Sequence, residues 1–302
     1  MRKGPDGIVK RTLEALKVNG IDAAAVPTTG PCTAGALARK WIDEGADLVI
    51  AMGGDGTINE IANGMAGSRI PLGVLPAGTA NVLAMELGIG SRLSHAIPKL
   101  AASVPERIAL GRVHSDLGTR YFVMMAGVGL DAEIVYNINA SLKRALGKVA
   151  YWIGGFSHVT RSMAEFDTHV SGRRERVGFA LASRVKNYGG DLEIAKGACL
   201  LENHFETVLF RGSNPLRYVG YFVGVLVGGL HKIPGATMER ARDLEFHDGD
   251  GRRVYIQVDG EFAGRLPARI EIVDDALTLL VPAGYRERLG MTFKTASARE
   301  HL

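Results

Sequence analysis

Two short stretches limit what this chain can fold into. DLVIAM (47–52) runs into the turn GGDGT and then INEIANGM, while IPLGVL (70–75) runs into PAGT and then NVLAMELG. Each stretch is a continuous apolar run, then a glycine turn, then a segment with helical spacing, as for Ile58, Ile61, Ala62 and Met65. Successive strand, turn and helix units predict parallel strands joined by crossover helices, a doubly wound Rossmann-like α/β layer. DLVIAM is expected to be a strand buried on both faces. Upstream, Ile8, Val9, Leu13 and Leu16 predict a helix closing at Gly20, and Ala34, Leu37, Ala38 and Trp41 predict another. Ligands of such layers bind at the carboxyl ends of the strands, where both glycine turns lie.

From about Arg107 the texture changes. RIALGRV, RYFVMMA, VGFALASR, FETVLF, RRVYIQV, ARIEIV and ALTLLV are strand-like runs separated by GG, DG or DD clusters, which predicts an antiparallel sandwich or barrel. SLKRALGKVAYWIGGF (141–156) and PLRYVGYFVGVLVGGL (215–230) read as helices within it. The run from Tyr218 to Leu230 falls short of the roughly 20 residues needed to span a bilayer. It reads as a buried or interfacial helix. The expected division is an α/β domain over 1–108 and a mainly β domain over 109–283.

At 302 residues the chain is longer than one core comfortably supports. Its 46% hydrophobic and 23% charged content excludes disordered and fibrous classes. A net charge of +4 favours anionic partners such as phosphates or acidic lipid surfaces and requires no nucleic acid. Cys32 and Cys199 stand far apart, which suits a reducing cytosol and excludes a structural zinc-thiolate site. The opening MRKGPDGIVKR has no apolar core of a signal peptide. The eight histidines are scattered without metal-ligand spacing.

A turn that hands a strand to a helix aims several backbone N–H groups at one spot, where the helix dipole favours an anion. For GGDGT this predicts a polyphosphate cradle, with Thr57 as a hydroxyl contact or cap. Asp55 is out of place beside phosphate unless Mg2+ bridges the two or the carboxylate accepts a proton. Asp-Gly is also a common turn pair and Asp a good helix cap, so the turn alone leaves a structural role open. PAGTAN (76–81), a second turn after the next strand, supports one extended ligand across both. No G-x-x-x-x-G-K-[ST], H-R-D or D-F-G occurs, which excludes a P-loop and a protein kinase. AGVGLDA (126–132) fits a loose dinucleotide pattern but lacks the acidic residue about 20 positions later, so Asp131 matters there chiefly as a second carboxylate. In VDGEFAGRLPARIEI (258–272), Asp259-Gly260 reads as a hairpin turn that leaves Glu261 at a strand end facing an interdomain cleft.

MGGDGTINEIANG, PLGVLPAGTAN, YFVMMAGVGLDAEIV and VDGEFAGRLPARIEI, in this order over roughly residues 7–285, resemble the diacylglycerol kinase catalytic family, which includes bacterial diacylglycerol kinases and sphingosine kinases. GGDGT alone is shared with NAD kinases. The resemblance implies an ATP-binding α/β domain, a C-terminal β-sandwich over 109–283, an active site in the cleft between them and a tail, 284–302, that returns to the first domain. It implies nucleotide contacts at Gly53, Gly54, Gly56 and Thr57 and at Gly78, Thr79 and Asn81. It also implies three catalytic acids, Asp55, Asp131 and Glu261, with Asp55 and Asp131 organising Mg2+. Glu261 is the expected general base, with Asp55 as its rival. Relatives open with a strand and an N-P-x-x-G turn, whereas this chain begins at MRKGPDG. Val82 replaces the aspartate of G-T-x-N-D, and LLENHFETV replaces an Asp-Gly turn that can hold a structural Mg2+, leaving Glu202 as the nearest acid.

The expected activity is ATP-dependent phosphorylation of a membrane lipid alcohol such as diacylglycerol. The alternatives are an NAD kinase-like activity and a catalytically weak nucleotide- or lipid-binding protein. Expected partners are ATP, the lipid and an anionic membrane surface at the cytoplasmic inner face, with a homodimer left open. Arg173, Arg174 and Arg176, together with Lys143, Arg144 and Lys148, are the expected headgroup contacts.

Overall fold

The computed structural model describes residues 5–130, 132, 164–188, 192–248 and 251–290. The expected helix at 141–156, Asp131, Lys143, Arg144 and Lys148 lie outside these residues. The helices are α1 (Pro5–Val18), α2 (Ala34–Asp43), α3 (Asp55–Met65), α4 (Val82–Glu86), α5 (Leu93–Ala101), α6 (Pro215–Leu226) and α7 (Ala283–Arg288). The strands are β1 (Val49–Gly53), β2 (Pro71–Pro76), β3 (Val104–Ser115), β4 (Gly118–Phe122), β5 (Met125–Gly129), β6 (Phe166–Val170), β7 (Arg173–Val177) and β8 (Phe179–Ser183). They continue with β9 (Asn187–Tyr188), β10 (Leu192–Glu193), β11 (Phe205–Phe210), β12 (Ala236–Ala241), β13 (Asp243–Asp248), β14 (Tyr255–Val258), β15 (Glu261–Arg265) and β16 (Ala268–Val281).

Both strand, turn and helix units form, and β1 and β2 pair in parallel from Val49↔Leu72 to Gly53↔Pro76. β2 then pairs in parallel with the C-terminal part of β16, at Thr278 and Leu279. β16 is antiparallel to β3 and β13, and the sheet continues through β6 and β7. The α/β layer and one wall of the sandwich are therefore one mixed eight-stranded sheet. The other wall is six-stranded and antiparallel, in the order β12-β11-β8-β5-β14-β15. β3 runs unbroken through residue 108, along β16.

Three local expectations change. β1 is half-exposed rather than buried on both faces: only Ala51 is buried, and among the described residues its one strand partner is β2. ARIEIV and ALTLLV are one strand, because Asp275 adopts φ +51° and the register against β3 shifts between Val273 and Leu277. The DD pair is thus a bulge inside β16, not a turn. RYFVMMA is the reverse case. It breaks after Phe122, with β4 in one sheet and β5 in the other. AGVG is the end of β5, paired antiparallel with β8 and β14, so it forms a ladder rather than a phosphate turn.

One core lies between the sandwich walls, where Phe122, Phe166, Phe205, Leu244, Phe246, Ile256 and Ile270 are buried and Phe122 stacks on Phe205 at 5.7 Å. The other core begins on the α3 face at Ile58, Ile61, Ala62 and Met65. It continues through Leu83, Val185, Leu200 and Tyr285 to Phe210 and Tyr218 under α6. Each fully buried Leu, Ile, Phe or Met stabilises by roughly 1.5–3 kcal/mol relative to exposure. The second core crosses from one domain to the other, so the cleft has a packed floor.

Candidate active site

The two glycine turns meet backbone to backbone. Ala77 N donates to Gly53 O at 3.1 Å. A methyl group on Gly78 would stand 3.2 Å from Gly54 N and closer still to Gly54 Cα. Asn81 ties the second turn shut by accepting from Gly78 N at 2.8 Å and donating to Gly78 O at 2.9 Å. Its side chain is thus used in building the loop, while Gly78 and Thr79 are exposed at the rim. Thr57 is half-buried and packs against Gly53, where an added Cβ would come within 2.8 Å of the threonine Cβ.

Asp55 is the first residue of α3, but its carboxylate faces the other turn. Oδ1 accepts from Leu83 N at 3.4 Å, at the start of α4. Burial raises its pKa above the ordinary value, offset in part by backbone donors at Val82 and Leu83. An aspartate in a glycine turn is thereby explained in part: it caps the neighbouring unit. This desolvated carboxylate has amide partners rather than a cation, and hard oxygen donors beside a phosphate cradle are what Mg2+ takes. The residues present therefore fit the ion.

The second carboxylate arrives from the sandwich. Asp259 and Gly260 form the two-residue turn between β14 and β15, both left-handed at φ +48° and +83°, as a type I′ hairpin requires. The turn delivers Glu261 to the first glycine turn, where a methyl group on Gly56 would lie 2.5 Å from Glu261 Oε1. Arg120 of β4 holds Glu261 Oε2 in a half-buried ion pair and also donates to Asn59 Oδ1 at 2.6 and 3.2 Å. Asp259 is buried and accepts from Val123 N, Met124 N and Met125 N at 2.9–3.0 Å and from Asn59 Nδ2 at 2.8 Å. It pins the break between β4 and β5 to α3. Desolvation raises its pKa as well.

Asp55, Gly56 and Glu261 are thus gathered at one place, and Asp131 lies outside the described residues. β5 begins at the Asp259 turn and leads away from it, so Gly129 is about 13 Å from Met125 at the usual strand rise. Leu130 then lines an apolar crevice with Phe179, Ile194, Phe210, Tyr218 and Val225 beneath α6.

Several residues that hold the cleft had no simple sequence signal. Asn59 and Asn63 sit four apart on α3, and Asn63 exchanges hydrogen bonds with the Tyr121 backbone at 2.8 Å each way. Polar residues at i and i+4 beside a helical apolar face were the available clue. Glu86 accepts from Lys186 N at 3.0 Å and from the Tyr285 hydroxyl at 3.1 Å, so α4, the sandwich and α7 are joined. Arg184 is fully buried, donates from Nη2 to Leu200 O at 2.5 Å, and has its pKa lowered by desolvation to about 10. Glu202 lies 3.0 Å from His204 Nε2.

Two glycine turns thus abut at the ends of parallel strands, and a carboxylate from the second domain reaches the first of them. Residues 2–113 match the family described as diacylglycerol kinase catalytic domain, and residues 124–281 match the YegS C-terminal NAD kinase beta sandwich-like domain. Diacylglycerol kinase from Staphylococcus aureus strain NCTC 8325 is 28% identical over 289 residues, covering 93% of this chain and 87% of that protein. Two solved structures from Bacillus anthracis strain Sterne, assigned as diacylglycerol kinases, share the fold. One has a TM-score of 0.77 at 19% identity, covering 93% of this chain and 92% of its own. The other has a TM-score of 0.75 at 17% identity, covering 94% of each. The protein is a lipid kinase by these matches: the chain belongs to the family of the YegS C-terminal NAD kinase beta sandwich-like domain, and its first 113 residues carry the match to the diacylglycerol kinase catalytic domain.

Proposed function

We propose that the protein transfers the terminal phosphoryl group of ATP to the hydroxyl of a diacylglycerol-type lipid, with Glu261 as the general base. The single observation that carries this is the Glu261 carboxylate standing over Gly56, inside the phosphate cradle but supplied by the other domain. Gly53, Gly54, Gly56 and Thr57 and the loop of Gly78, Thr79 and Asn81 hold the phosphates through backbone N–H groups. Glu261 takes the proton of the lipid hydroxyl. The freed oxygen bonds to the terminal phosphorus, and the bond to the bridging oxygen breaks, leaving ADP and a lipid phosphate. Asp55 is the weaker candidate for base because its oxygen faces the α4 amides. It is assigned to Mg2+, together with Asp131 as the second acid expected to organise the ion. The ion would supply charge neutralisation at the phosphates.

The lipid reading has a surface to go with it. Among the described residues no helix is long and apolar enough to cross a membrane. However, the outer face of α6 is an apolar stripe of Leu216, Val219, Val223 and Leu226, continued by Val227, with Leu216 78% and Val219 51% exposed. No acidic residue occurs from 207 to 238, and Arg217, His231 and Lys232 flank the stripe. Such a face suits an anionic bilayer, in which the helix would lie at the headgroup level. It supports peripheral attachment at the cytoplasmic face better than the arginine cluster does, since Arg173, Arg174 and Arg176 lean on Glu239, Asp167 and Glu165.

The test is a panel of lipid alcohols in mixed micelles with labelled ATP and Mg2+. Phosphatidic acid from diacylglycerol is the expected product. Phosphorylated NAD in place of lipid would move the protein to the NAD kinase reading. ATP binding with no phosphorylated acceptor would make it a binding protein.

A further inference from the structure

The histidines look scattered along the sequence, but the sandwich brings two of them together. Glu245 and His247 are two apart on β13 and so share one face of the sheet, while His169 of β6 is directly paired with Glu245 on that face. The two imidazole rings are 5.3 Å apart between centroids, and His247 Nε2 is 3.9 Å from a Glu245 oxygen. One ligand atom from each of the three residues lies within 4.8 Å of the other two. Beneath them Leu244, Phe246, Thr168 and Val170 are buried, so the backbone is fixed by core packing while the three tips stay accessible.

The neighbouring charges are otherwise engaged. Arg174 faces His169 across the ladder but binds Asp167 at 2.8 Å, and Arg269 faces Glu245 but approaches Glu271 at 3.4 Å. On a face laced with arginine–carboxylate pairs, the one ion-pair partner of Glu245 among the described residues is His247.

We propose that His169, Glu245 and His247 form a binding site for a divalent transition ion, with Zn2+ as the best match. Two imidazole nitrogens and one carboxylate oxygen suit zinc and its neighbours, whereas Mg2+ and Ca2+ take oxygen. With bonds of about 2.0–2.2 Å, tetrahedral ligand atoms stand about 3.3 Å apart, so closure requires about 1.5 Å of movement by three accessible side chains. A fourth position remains for water. The bound ion would cross-link β6 to β13, on the outer face of the sandwich and apart from the glycine turns.

The experiment titrates Zn2+ alone into the metal-stripped full chain, by calorimetry and by competition with a chromophoric chelator. One equivalent should bind the wild type, and His169→Gln, His247→Gln and Glu245→Gln should each weaken it by at least roughly tenfold, the lower end of what losing even an outer-shell partner costs. His95→Gln, in α5, should leave it unchanged. Co2+ should give the visible absorption of a tetrahedral nitrogen–oxygen site, lost in the same variants, and circular dichroism of the metal-free variants checks that they fold. Equal affinity in the wild type and in the His169→Gln/His247→Gln double variant, including no measurable binding by either, overturns the proposal. No turnover is read, so the result stands apart from the lipid-kinase proposal.

Discussion

Gly78→Ala tests whether the two glycine turns act as one cradle. The added carbon would stand 3.0 Å from Asn81 Oδ1 and 3.2 Å from Gly54 N, and nearer still to Gly54 Cα. On one side the obstacle is the Gly54 backbone, and on the other the Asn81 side chain, held in place by its own hydrogen bonds to Gly78, so relief requires the two turns to part by about 1 Å. Overpacking of this kind costs about 1–3 kcal/mol of stability. The larger effect is on catalysis, because displacing phosphate-positioning groups by about 1 Å can cost roughly a hundredfold, close to 2.7 kcal/mol of barrier. Steady-state kcat/KM for ATP and the affinity for a fluorescent ATP analogue measure it. Gly73→Ala is the control: its added carbon meets the flexible tip of Leu100 at 2.9 Å, within β2, and should lower the melting temperature without changing KM for ATP. If Gly78→Ala keeps kcat/KM within about twofold of wild type, the turns do not act as one cradle.

Two further outcomes are expected. Burial raises the Asp55 pKa above 3.8, so folding is less favourable with the side chain ionised than with it protonated. The stability linked to Asp55 is complete below about pH 3.8 and is lost as pH rises through the folded pKa. Denaturant melts of Asp55→Asn and wild type should therefore diverge in favour of the variant as pH rises above about 4, and a constant difference contradicts the burial argument. Val219→Asp with Val223→Asp should abolish sedimentation with anionic vesicles while leaving turnover of a short-chain soluble diacylglycerol intact. Retained sedimentation would remove α6 as the membrane contact.

The apolar run, glycine turn and helical spacing were legible because each is a local property, and so was Asp259-Gly260, whose type I′ geometry Asp-Gly suits. What was not legible depends on partners far along the chain. DLVIAM reads as a fully buried strand, yet its burial depends on how many strands flank it, which periodicity does not carry. Asp274-Asp275 has the composition of a turn, but continuous pairing with β3 on either side makes it a bulge. Asp259 looked like a turn residue alone. Its carboxylate also collects three backbone amides from the β4–β5 break, over 130 residues away, and that contact aims the hairpin carrying Glu261. Asp55 could be read as a carboxylate near phosphate, but not as the cap of α4, because that contact exists only once β1 and β2 are side by side. The histidine cluster was invisible for the same reason.

The most direct test of the account is the Glu261→Gln variant, assayed for lipid phosphorylation and for ATP affinity. A positioned base contributes about 10^2–10^4 in rate, so kcat should fall by that much while ATP binds within about twofold of wild type. An undiminished kcat would contradict the assignment of Glu261 as the group that takes the proton.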